Sequence, residues 1–136
     1  MVIMQEQDVE LVHCGKRNEI VSDEGIVYKD VLPNKKSYGD LRTRVLYMFP
    51  CVSTMILVKK TALEEVGVFD ENLKFWQDYE LLIRLAQRIT FGCVEEPLIL
   101  YRKDKKDSNR LTNKYFEWKK AVQYIRKKHS LLYGLF

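Results

Sequence analysis

Trp76, Asp78 and Glu80 lie within five residues of one another and are the side chains here best suited to chemistry. Leu81, Leu82, Leu85 and Ile89 follow at helical spacing, so the two carboxylates fall in the first turn of a helix held by its apolar side. A carboxylate there meets the positive end of the helix dipole, which favours its ionised form. Beside an aromatic at a pocket rim, such an Asp is well placed for proton chemistry. The competing reading is that Asp78 caps the helix, since Asp is a preferred N-cap residue. Spacing alone favours the cap, because caps far outnumber catalytic bases.

The elements that must position this helix can be read along the chain. Residues 1–7 form a polar lead-in, the stub of a helix, and residues 9–14 form a strand ending at Gly15. Residues 16–25 are polar turn material, and Ile26, Val27 and Tyr28 make a short strand of a hairpin. Residues 31–36, with Pro33 and Asn34, read as a loop. Ser37 has the spacing of a cap, and Leu41, Val45 and Met48 predict an amphipathic helix to about Tyr47. The apolar run 54–58 predicts a strand buried on both faces. Thr61-x-x-Glu64 is a capping box opening a short helix that stops at Gly67. After the central helix, residues 90–94 and 98–101 form two extended segments around Pro97, and residues 103–107 a charged loop. Last, Leu111, Tyr115, Trp118, Val122, Ile125 and His129 recur at alternating steps of four and three, one unbroken helical stripe.

Length and composition bound the function. A chain of 136 residues, 46% hydrophobic and 31% charged, suits one globular domain with a core. No apolar run approaches the roughly 20 residues that span a bilayer, and no signal peptide is recognisable. Cys14, Cys51 and Cys93 are odd in number and scattered, which argues for reduced thiols and against a disulfide framework or a zinc site. His13 and His129 sit in apolar contexts that suit packing better than metal binding. Charge is uneven: residues 101–136 hold 11 Lys+Arg against 3 Asp+Glu, within a formal net charge of +4. Such a basic third suits anionic headgroups, a diphosphate or nucleic acid, or is simply a solvated helix face. No nucleic-acid reader motif accompanies it, so nucleic acid is not an expected partner.

Four short motifs add a resemblance. Gly67-Val68-Phe69-Asp70-Glu71, then Gln77-Asp78-Tyr79-Glu80-Leu81 with Arg84-Leu85, resembles the G-x-F-D-E and E-D-x-x-L-x-x-R-L block of family 2 glycosyltransferases. Glu96-Pro97-Leu98 with Tyr101-Arg102 is similar to their E-P-L-x-x-Y-R strand. Ser53-Thr54 with Lys59-Lys60 resembles S-x-x-x-x-R-R, and residues 11–15 resemble V-Y-C-G. No single motif is specific, but the four are collinear over residues 9–102.

The resemblance implies an α/β fold: an incomplete GT-A-like, three-layer domain with a mixed sheet, flanking helices and a C-terminal amphipathic helix. Residues 1–103 would be the C-terminal half of the catalytic domain and 104–136 a basic helix and tail. The family's D-x-D metal motif and a Gly-rich phosphate turn are absent, so this stretch implies the acceptor side only, inactive by itself. It carries no metal ligands of its own; a divalent cation, Mn or Mg, and the nucleotide-sugar belong to the complete enzyme. By the same resemblance Asp78 is the base of an inverting transfer to a polysaccharide, lipid-linked or protein acceptor in cell-wall or capsule synthesis. Trp76, Gln77 and Ser53 would contact the acceptor. Gln77 stands where the family usually has Glu, and Lys103-Asp104 where it often has His. Arg84 reads as structural, pairing with a carboxylate. Expected surroundings are cytoplasmic, peripheral at the inner face of the membrane, with a homodimer through the exposed edge of the 54–58 strand. The rival is a non-catalytic interaction module whose basic helix docks on a membrane or partner.

Overall fold

The computed structural model describes residues 2–107 and 114–134. Helix α1 (Val2–Glu6) leads into the long strand β1 (Leu11–Ser22), which turns back as β2 (Gly25–Val31). Strand β3 (Ile56–Val58), helix α2 (Lys60–Val66), helix α3 (Gln77–Ala86), strand β4 (Phe91–Asp104) and helix α4 (Tyr115–Lys128) follow. The result is the expected α/β domain, a mixed four-stranded sheet with flanking helices. β1 is its axis: β4 runs parallel along one side, while β3 and then β2 share the other side, both antiparallel.

The strand at 9–14 does not stop at Gly15. Residues 16–22 continue as strand because β2 pairs with all of them and β4 with residues 16–21 on the other side. Gly15 marks a bulge instead: β4 passes from Val94 opposite Cys14 to Pro97 opposite Gly15. A Cβ on Gly15 would lie 2.7 Å from the Val31 carbonyl oxygen and 3.0 Å from that of Glu96, so the crowded bulge accepts no side chain. The hairpin partner at 26–28 forms as expected, within a longer β2. The two extended segments around Pro97 are one strand, which also absorbs Lys103 and Asp104 from the expected loop.

Three local expectations fail for tertiary reasons. The helix predicted from Ser37 to about Tyr47 is only a 3-10 turn at Arg44–Leu46. Ser37 Oγ donates to the Asn34 carbonyl (2.8 Å), its own carbonyl accepts from His13, and Gly39 (φ 86°) exchanges two backbone hydrogen bonds with Phe91. Leu41 and Val45 are still fully buried, so the four-residue spacing marks core without helix. The strand expected over 54–58 is three residues long, follows a 3-10 turn at Ser53–Met55, and leaves Leu57 52% exposed. It has one neighbour among the described residues, so it is an edge rather than a doubly buried strand. Thr61 lies inside α2 and makes no capping bond; Lys59 is the cap residue. Gly67 ends that helix at φ 76°, as expected.

The main core gathers Leu11, Leu41, Leu82, Leu85, Phe91 and Ile125 between the sheet and α2, α3 and α4. Met4, Val9 and Val12 form a smaller cluster under α1. From the apolar stripe of the last helix, Ile125 is buried, Val122 and His129 partly so, and Tyr115 is exposed; Leu111 lies outside the described residues.

Candidate functional site

Trp76 precedes α3 in the left-handed region (φ 60°, ψ 22°), a conformation that costs a bulky residue energy unless packing enforces it. The packing is aromatic. Its ring stacks on Phe49 (5.9 Å, 17° between planes) and meets Tyr79 (5.1 Å) and Trp118 (5.6 Å) edge-on. Tyr79 is anchored by donating its hydroxyl to the Val45 carbonyl at 2.7 Å. Burial pushes the Tyr79 pKa up, so the hydroxyl remains a donor.

Asp78 is the second residue of α3; the N-cap position is held by Trp76, which makes no side-chain capping bond. One carboxylate oxygen accepts from the Tyr79 backbone N–H (2.9 Å) and the other from the Ser53 backbone N–H (3.3 Å). The group is half-buried, and a carboxylate has about four acceptor positions, so two remain for an outside donor. Asp78 therefore joins α3 to the 3-10 turn before β3. Burial, and after it the negative charge of Asp78, holds the Cys51 thiol far above its ordinary pKa. Cys51 is a buried neutral thiol beside the carboxylate, not a nucleophile.

Two clefts flank this point. One of about 380 Å³ is walled by Phe49, Trp76, Tyr79, Trp118, Arg126 and Tyr133. The other, about 240 Å³, is walled by His13, Lys16, Asn34, Phe49, Cys51 and Val52 among others. Asp78 lines neither, but its helix neighbours wall the first and the residues before Ser53 wall the second. Of the residues singled out from sequence, Asp78 and Ser53 are in contact and Trp76 lies in the aromatic wall. Gln77 is half-buried and makes no side-chain hydrogen bond among the described residues.

What holds α3 in place was only partly visible in the sequence. Glu80 is completely buried and accepts from Arg84 (2.7 Å), Lys128 (3.0 Å) and His129 (2.8 Å). Burial alone would raise its pKa, but hydrogen bonds from His129, Arg84 and Lys128 outweigh that and lower it to about 2. Arg84 also donates to the carbonyls of Val66, Gly67 and Val68, tying the turn after α2 to α3. Asp70 accepts from Lys128 (2.6 Å) and the Tyr124 hydroxyl (2.9 Å), and the Lys128 contact holds its carboxyl well below the usual range. The Glu80/Arg84 spacing of four signalled one ion pair; Lys128 and His129, some fifty residues away, gave no signal. His13 packs in the interior, as its apolar sequence context led us to expect. It is buried, donates from Nε2 to the Ser37 carbonyl (2.7 Å), and burial lowers its pKa, which keeps the ring neutral. Among the described residues no group of three or more His, Cys, Asp or Glu side chains is arranged to hold a metal ion.

A domain of this fold, with the acidic helix start beside an aromatic cleft, invites comparison with known proteins. A family model, glycosyltransferase like family 2, matches residues 14–131, and the chain belongs to that family. No match was found among curated proteins or among solved structures. The mixed sheet and flanking helices agree with a GT-A-like domain, and the family supports glycosyl transfer in general terms.

Proposed function

We propose that this domain serves the acceptor side of an inverting glycosyl transfer and that Asp78 is its base. Asp78 takes the proton of the acceptor hydroxyl as that oxygen attacks the sugar's anomeric carbon. The new C–O bond forms as the bond to the diphosphate breaks, and the nucleoside diphosphate leaves with the electron pair. What supports the reading is a half-buried carboxylate, held in place by the Ser53 and Tyr79 amides, with acceptor capacity to spare between two clefts. Trp76 would meet the acceptor as part of an aromatic wall, since its ring is already engaged by three others. Gln77, whose side chain makes no hydrogen bond among the described residues, and Ser53 would bind acceptor hydroxyls. The acceptor class is a polysaccharide, lipid-linked or protein acceptor.

Among the described residues no cluster of His, Cys, Asp or Glu is arranged to hold a divalent cation, and no step here is routed through one. The cation and the nucleotide-sugar belong, in this reading, to a donor half that this stretch does not supply, which makes it inactive alone. Three free, buried cysteines fit a reducing, cytoplasmic compartment, and no helix among the described residues is long and apolar enough to cross a membrane. Calorimetric titration with UDP-sugars and manganese should show no micromolar binding to this chain; such binding would overturn the acceptor-side reading. In the complete enzyme, Asp78→Asn should lower turnover by roughly a hundredfold or more with donor affinity intact. Retained turnover would remove Asp78 from the role.

A further inference from the structure

We propose that the outward face of α4, with the turn that follows it, lies on an anionic lipid bilayer. The docking of α4 sets which side looks out. Ala121 and Ile125 are buried against the core and Lys128 turns inward to Asp70 and Glu80. At helical spacing, residues 116, 119, 120, 123, 126 and 127 therefore face away. That face carries Lys119, Lys120, Arg126 and Lys127, which form no ion pair among the described residues. Residues 118–134 contain no Asp or Glu to offset them.

Apolar side chains stand out at both ends of this basic strip. Phe116 is 75% exposed at the start, next to the exposed Tyr115, and Leu131 is 75% exposed past the end, next to Leu132. Cations alone suit any polyanion, but large apolar groups projecting beside them suit a surface with both charge and hydrocarbon. An interfacial helix has that composition, its basic residues meeting headgroups while aromatics and leucines enter the acyl boundary. A nucleic acid would satisfy the lysines and leave the leucines in water. Arg126 lies over the Tyr133 ring (5.7 Å), which keeps one cation close to the apolar turn. The contact would place the aromatic cleft on the flank of α4 beside the membrane surface, independently of what Asp78 does.

Cosedimentation with vesicles tests this, using the whole chain and lipid alone, so the outcome does not depend on sugar transfer. Binding is expected to vesicles of equal parts phosphatidylglycerol and phosphatidylcholine, to fade at high salt, and to be absent on pure phosphatidylcholine. Lys119→Gln with Lys127→Gln should weaken it roughly thirtyfold, and Phe116→Ala roughly tenfold. These side chains are exposed and hold no core contact, so circular dichroism should show every variant folded. No binding to the anionic vesicles, or undiminished binding by the double variant, would overturn the proposal. So would tighter binding to single-stranded RNA than to vesicles at the same salt.

Discussion

Glu80 offers the sharpest test of how this domain is held together. Three donors from two helices converge on one buried carboxylate, so Glu80→Gln keeps the shape and removes the charge they share. The native carboxyl is brought from 4.5 to about 2. At about 1.4 kcal/mol per tenfold in proton affinity, that difference is worth about 3 kcal/mol at neutral pH. Removing one partner of a buried ion pair typically loses about 3–5 kcal/mol. The lower figure applies here, because Arg84 keeps three carbonyls and Lys128 keeps Asp70. The sign with pH follows from the lowered pKa: the contribution is complete above 4.5 and disappears as pH falls through about 2. Urea melts can be followed by tryptophan fluorescence, since Trp76 and Trp118 sit against each other where α4 meets α3. At pH 7 the variant should unfold at a midpoint roughly 1–2 M lower. The gap should narrow to little as the pH approaches 2, where about half of native Glu80 is protonated. Equal midpoints at pH 7, or a gap that persists unchanged in acid, would refute the reasoning.

Other expectations follow from single contacts. Gly15→Ala should destabilise by about 1–3 kcal/mol in the same melts, because its Cβ would press on the Val31 and Glu96 carbonyls; an unchanged midpoint would count against the crowded bulge. Cys14, Cys51 and Cys93 are buried, and burial raises all three thiol pKa values. A thiol reagent at neutral pH should therefore react fully only after denaturation, and rapid labelling of native protein would contradict that. β3 has one partner strand among the described residues and an exposed Leu57, so we expect self-association through this edge. Light scattering that shows a monomer at every concentration would dismiss it.

Some of the architecture was legible because it rests on local chemistry. The central helix followed from leucine spacing and the end of α2 from a glycine that alone takes φ 76° easily, while Arg84 was expected to pair with a carboxylate, which the structure identifies as Glu80. The family motifs were readable for the same reason: they are short and collinear. Misreadings came where distant partners outvoted local preference. Ser37, Leu41 and Val45 have helical spacing, yet pairing of Gly39 with Phe91 and of Ser37 with His13 draws that segment into an irregular loop. Polar residues 16–22 look like a turn, yet two neighbouring strands make them the middle of the sheet.

The same division runs through the site. Sequence by itself determined that Asp78 stands in the first turn of a helix beside Trp76, because both facts depend on neighbours along the chain. Only the tertiary structure decided that Ser53 supplies an amide to that carboxylate, that Phe49 and Trp118 complete the aromatic wall, and that Lys128 and His129 donate hydrogen bonds to Glu80. Those contacts join residues 25 to 49 positions apart, and no spacing rule reaches across such a gap; a common core has to bring them together first.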